Sequence, residues 1–221
     1  MEVMWRDFFK QPSYLIDRVI YPDQKKEIIR DKYYNLPWYE IYSLLEFTAS
    51  LLGAFGDKRK EEFIETCNYV LERENSAFRF IDDLLVPITS EVEIKNIEEI
   101  LAEEDEAAKH IHSALTLLSN KVEDQSRESI AQSILAVEAI AKKTTGDKNT
   151  TLAALCQASK ILPKHSQARQ ALFNLYNYTS SKEGIRHALT DESQPVTRAF
   201  ARFMLVTCSA FVNLIKSEKI V

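Results

Sequence analysis

Only 4 glycines and 6 prolines interrupt 221 residues. Glycine and proline are the residues that cost most inside a helix, about 1 and 3 kcal/mol relative to alanine, so a chain this poor in both can sustain long helices. A hydrophobic share of 45% and a charged share of 28% describe a globular chain, and the length suffices for a substantial core. All-α is therefore the expected class. The formal net charge of -5 argues against an obligatory polyanion binder but leaves room for a local basic pocket. Cys67, Cys156 and Cys208 lie far apart in apolar helical patterns, which reads as buried free thiols in a reducing compartment. No Cys-x-x-Cys or paired Cys/His spacing suggests a disulfide framework or a metal site. The N-terminus lacks the basic-then-apolar order of a signal peptide, and no apolar run approaches the ~18 residues of a membrane span. The expected setting is cytoplasmic, with no membrane and no cofactor.

Residues 1–36 carry Trp5, Phe8, Phe9, Tyr14, Tyr21, Tyr33 and Tyr34 between breaks at Pro12 and Pro22. They read as short helices or an irregular arm laid on the body through its rings, a partner surface being the other use of the same aromatics. Asp23 to Lys32 reads as one short helix capped by Asp23. Pro37 opens a helix to about Phe55, with Trp38, Ile41, Leu44, Leu45 and Thr48 at helical spacing. Gly56-Asp57 closes it, and a second helix runs from Asp57 to about Glu74 with Phe63, Cys67, Val70 and Leu71 on its apolar face. Phe78 to Ile88 differs in kind. Aromatic and branched residues flank Asp82-Asp83 there, which predicts a small β-hairpin with Pro87 at an edge, lying on the helices.

Ser90-Glu-Val-Glu93 is a capping box, opening a helix over Glu91 to Leu101 with Val92, Ile94, Ile97 and Ile100 as apolar contacts. The acidic run Glu103 to Glu106 reads as a solvated turn and a helix start, where carboxylates favour the positive end of the dipole. Helices are then expected over Asp105 to Ser119, Gln125 to Lys143, a stretch capped at Thr150 or Thr151 and reaching about Ile161, His165 to Thr179, and Pro195 to Lys219. The last repeats Phe200, Met204, Thr207, Phe211 and Leu214, and its apolar breadth suits burial in a bundle or at a subunit contact. The expected boundary is the acidic link, giving an N-terminal helical part with the hairpin over 1–103 and a C-terminal bundle over 104–221, packed as one unit.

Glycine-rich phosphate loops, His-Glu-x-x-His and nucleophile elbows are absent from the sequence. His110 and His112 are two apart, so they point to different sides of a helix and make a poor metal pair; His165 reads as structural. The stretch Leu175 to Ala188 is more suggestive, because it interrupts the helices with Ser-Ser-Lys-Glu-Gly and restarts with Ile-Arg-His-Ala. Arg186 and His187 are the candidate catalytic pair, with Lys182, Tyr178 and Glu138 as candidate binding neighbours. An imidazole beside a guanidinium could accept a proton from a ribose hydroxyl and stabilise a phosphorane-like transition state. A scaffold role competes: Arg186 pairing with a carboxylate such as Glu138, His187 bonding a backbone carbonyl.

Five motifs occur in order: Pro37-Trp-Tyr-Glu-Ile-Tyr with Leu-Leu-Glu-Phe, Phe78-Arg-Phe-Ile with Val86-Pro-Ile, Ser133-Ile-Leu-Ala-Val-Glu-Ala, Leu175-Tyr-Asn-Tyr-Thr, and Gly184-Ile-Arg-His-Ala. Together they resemble the AbiJ-type N-terminal module of bacterial abortive-infection proteins, over roughly residues 37–216. That module is similar to the HEPN group of helical bundles. The resemblance implies an all-α, HEPN-like helical bundle with a small β-hairpin and an aromatic N-terminal arm, acting as a homodimer in phage defence, with RNA or protein as partner. Active HEPN ribonucleases set an Arg a short way ahead of the catalytic His. Here Ser180, Ser181 and Lys182 stand ahead of His187, and Lys lacks the planar fork of Arg. The expected function is thus a non-catalytic sensor or interaction module of the abortive-infection type. The alternative is a metal-independent ribonuclease using Arg186 and His187.

Overall fold

The computed structural model describes residues 1–180 and 196–218. By its internal contacts the chain divides into two units, Met1–Leu85 and Val86–Val221.

The first unit begins with a π-helical turn, Met4–Phe8, followed by α1 (Ser13–Asp17), α2 (Pro22–Tyr34), α3 (Trp38–Gly53) and α4 (Asp57–Arg73). The aromatic arm packs only in part through its rings, since Tyr14, Tyr21 and Tyr34 are exposed. Trp5 is buried and its Nε1 donates to the Pro12 carbonyl at 3.1 Å, while Phe8 meets Phe47 of α3 with centroids 5.6 Å apart. Helix α2 starts two residues earlier than the Asp23 cap implied. Tyr21 is its N-cap and Pro22 its first residue, because a first-turn proline gives up only an N–H that has no intrahelical partner. Between α3 and α4, Gly56 sits at φ +121°, a conformation that a side chain would strain. Helix α4 ends in a Schellman motif: Asn75, at φ +53°, donates to Glu72 O, and Ser76 N donates to Leu71 O.

Strands β1 (Arg79–Ile81) and β2 (Leu84–Val86) form the expected hairpin, turning at Asp82 with φ +55°. Aspartate tolerates that left-handed region better than most residues. Phe80 and Leu85 join Ala49 and Leu71 in a buried cluster, and Tyr42, Leu45, Phe63, Ile64, Cys67 and Phe78 pack around it. Fully burying a ring such as Phe80 contributes about 1.5–3 kcal/mol. Ile64 takes the place foreseen for Val70, which is 39% exposed.

The second unit holds α5 (Glu91–Leu101), α6 (Glu106–Ser119), α7 (Ser126–Thr145), α8 (Leu152–Gln157), α9 (Ser166–Ser180) and α10 (Arg198–Ser217). Side-chain oxygens cap several N-termini: Ser90 accepts from Glu93 N, Asp105 from Ala108 N, Thr151 from Ala154 N and Thr197 from Phe200 N. Gly146, at φ +72°, closes α7. Helix α8 stops four residues short of Ile161, because Ser159 turns left-handed at φ +52° and Lys160 N donates back to Leu155 O. Ile161 is nonetheless buried, in the loop that follows.

Helix α7 is central, packing against α6, α8, α9 and α10. Its small residues Ser129, Ser133, Ala136 and Ala141 are fully buried, and the Ser129 hydroxyl donates to Ala114 O of α6 at 2.8 Å. Helix α10 packs on α5, α6 and α7 through Ala201, Met204, Leu205, Cys208, Val212 and Ile215. That stripe differs from the expected one. Only Met204 is shared; Phe200, Thr207, Phe211 and Leu214 are half-buried. By length and mean hydropathy alone α10 could cross a membrane, yet its buried stripe is a bundle contact. On α5, Ile97 and Ile100 are buried, whereas Val92, expected beside them, is 80% exposed.

Candidate functional site

Helices α6 and α7 run antiparallel, since Ala114 meets Ser129, His110 meets Gln132 and Asp105 meets Lys143. Arg198, at the start of α10, donates to Asn120 O just after α6, and Lys216 near its end lies 3.6 Å from Asp105. The N-terminus of α6 therefore gathers the C-terminal ends of α7 and α10. Helix dipoles favour this arrangement, with carboxylates at the positive end and ammonium groups at the negative ends.

Asp105 is the node. Its Oδ1 caps α6 by accepting from Ala108 N at 2.9 Å, and its Oδ2 pairs with Lys143 Nζ at 3.0 Å. Lys216 also pairs with Glu103 at 2.9 Å. Burial acts to raise the Asp105 carboxyl, but the Ala108 N–H, Lys143 and Lys216 outweigh it and hold the group below its ordinary value. The bond to Asp105 in turn holds the Lys143 ammonium above its own. An acid so stabilised as a carboxylate cannot donate a proton near neutrality.

A cleft of about 650 Å³ opens beside this node. Ala107, Leu135, Ala139 and Ile140 supply apolar lining, and charges of both signs stand among them, including Glu106, Glu138, Lys142 and Lys148. Glu138, with a side chain only 13% exposed, pairs with Lys142 at 2.7 Å one turn on. His110 is fixed by Gln132 at 2.7 Å, and His112 is exposed, so the two histidines do separate. His165 lies just before α9 and pairs with Glu218 at 3.1 Å.

Of the residues singled out from sequence, Glu138 lines this cleft. Tyr178 is absent from its lining; it is 49% exposed on α9 and packs edge-on against Phe200 of α10 at 5.6 Å. Lys182, Arg186 and His187 lie outside the described residues. Sequence reasoning read Asp105 as part of a solvated acidic run and missed its convergence with Lys143 and Lys216. The residue's signal was its place as an N-cap before Glu106-Ala-Ala; the lysines, 38 and 111 positions on, carried none.

Residues 5–103 match the model of a family described as AbiJ N-terminal domain 4. The chain thus carries an AbiJ-type N-terminal module, a module associated with abortive infection. The match takes in Pro37-Trp-Tyr-Glu-Ile-Tyr, Phe78-Arg-Phe-Ile and Val86-Pro-Ile and ends at residue 103. The motifs at Ser133, Leu175 and Gly184 fall beyond it, so the family assignment begins earlier and stops sooner than the resemblance drawn from residues 37–216. No curated protein and no solved structure matches the chain. The matched region takes in the π-turn except for Met4, α1 to α4, the hairpin and α5; the cleft beside Asp105 lies beyond it.

Proposed function

We propose that this protein is a non-catalytic, HEPN-like sensor or interaction module of the abortive-infection type, acting as a cytoplasmic homodimer in phage defence. The observation that carries this reading is the mutual commitment of charge at the Asp105 cleft, where Lys143 neutralises Asp105 and Lys142 neutralises Glu138. Charges spent on each other stabilise a scaffold, whereas general acid–base work needs a group poised near the working pH. Burial also pushes the Cys156 and Cys208 thiols up, to about 11 and about 12, so neither supplies a thiolate nucleophile near neutrality. A face of α10 on which Phe203 is 52% exposed and stacks on Phe200 suits a contact between copies.

The test is incubation of the purified chain with single-stranded and hairpin RNA without metal, beside His187→Ala. Intact RNA with both proteins is expected. Cleavage that disappears in His187→Ala would replace this reading with the ribonuclease one. Light scattering is expected to give twice the chain mass.

A further inference from the structure

We propose that a second cleft, beside the N-terminal π-turn, binds a guanine nucleotide. This cleft, of about 540 Å³, has the size of ordinary small-molecule sites. Phe8 and Phe9 line it with their rings perpendicular and 5.2 Å apart. Both rings are backed by protein, Phe8 by Phe47 at 5.6 Å and Phe9 by the buried Trp5 at 6.3 Å. They form a positioned aromatic surface, on which a flat base can stack at little entropic cost.

The polar lining completes the fit. Neither Lys32 nor Glu40 enters an ion pair among the described residues, with each other or with a third group, although Arg6, Lys25 and Lys60 of the same unit all do. Lys32 Nζ is instead held 6.0 Å from the Trp5 ring. Asn35 donates one amide N–H to Asp31 O, leaving its carbonyl and second N–H available, and the Ser43 hydroxyl donates to Tyr39 O, leaving its oxygen as an acceptor. One cation, one carboxylate, an amide and two rings thus face a single cavity. A guanine nucleotide meets each of them: a π-face for Phe8 and Phe9, a phosphate for Lys32, and adjacent N1–H and N2–H donors for the two oxygens of Glu40. Adenine offers only one donor beside a ring acceptor, which a carboxylate repels.

This inference stands apart from the non-catalytic reading above. Calorimetric titration of the full chain with GMP, AMP, guanosine, ribose 5-phosphate and tryptophan tests it. GMP is expected to bind, and AMP more weakly. Lys32→Gln is expected to weaken GMP about tenfold, the loss of one charged hydrogen bond, and to leave guanosine unchanged. Glu40→Gln is expected to abolish the preference for GMP over AMP. Circular dichroism establishes that both variants are folded. Absence of saturable GMP binding, GMP binding indifferent to both substitutions, equal binding of ribose 5-phosphate, or tryptophan binding in place of GMP would overturn the proposal.

Discussion

The side-chain amide of Asn68 pairs with both backbone polar groups of Phe80, Nδ2 donating to the carbonyl at 3.2 Å and Oδ1 accepting from the N–H at 2.7 Å. One residue of α4 thereby does for β1 what a third strand would do. Glu46 of α3 accepts from Leu85 N at 2.7 Å, and Lys60 pairs with Asp82 and Asp83 at the turn. A two-stranded hairpin is marginal alone; here three side chains and a shared apolar cluster hold it. Asn68→Ala leaves the Phe80 groups unmatched and is expected to cost about 1–3 kcal/mol in urea denaturation. Tyr69→Ala, on the exposed side of the same helix, is expected to stay within about 0.5 kcal/mol.

Helix α5 offers a test of which face is buried. Ile97→Ala is expected to cost about 2–5 kcal/mol, because it opens a cavity in a fully buried site. Val92→Ala, at the exposed face, is expected to fall within about 0.5 kcal/mol. Equal losses at the two sites in denaturant midpoints would contradict the orientation of this helix.

Asp105 sets an acid-side dependence. Its folded pKa is depressed, so its contribution is fully present above the unfolded value of about 3.9 and is lost as pH falls through the folded value. Thermal melts between pH 6 and the acid limit of folding are expected to decline less steeply below about pH 4 in Asp105→Asn than in the parent chain. Asparagine preserves the cap, so the Asn variant separates charge from capping. Asp105→Ala removes both and is expected to cost about 1 kcal/mol or more at neutral pH.

The three thiols differ in reach. Cys208 is fully buried and Cys156 nearly so, whereas Cys67 is half-buried, and burial pushes all three thiols up. With a disulfide reagent at pH 8, Cys67 is expected to react first, and Cys208 only when the chain unfolds. Mass spectrometry of the labelled peptides reads the order.

Ser209 lies fully buried on α10, and its hydroxyl has no hydrogen-bond partner among the described residues. Ser209→Ala removes an unsatisfied polar group at almost no change in volume. It is expected to raise stability, by up to about 1 kcal/mol in thermal or urea unfolding.

Much of this was legible in the residues themselves. Ser90 three residues before Glu93, Pro37 ahead of Trp38, and Gly146 after Thr145 announce helix ends locally, and each stands where it was expected. Misreadings fell where a local rule had two solutions. Ser159 carries no strong break signal yet ends α8 with a left-handed turn. On α10, apolar residues ring so much of the helix that two stripes satisfy the same spacing. Of the proposed site, Glu138 lines a cleft and pairs with Lys142, while Arg186, the partner expected for it, lies outside the described residues.

The sequence alone determined the helical class, the hairpin at Asp82-Asp83 and the order of elements, because scarce breakers, caps and short-range spacing act within a few residues. The tertiary structure decided which face of α5 and α10 is buried, the docking of Asn68 on Phe80, and the meeting of Lys143 and Lys216 at Asp105. Those outcomes depend on groups brought together by packing from distant parts of the chain, and a side chain's sequence position does not specify the neighbour it will find there.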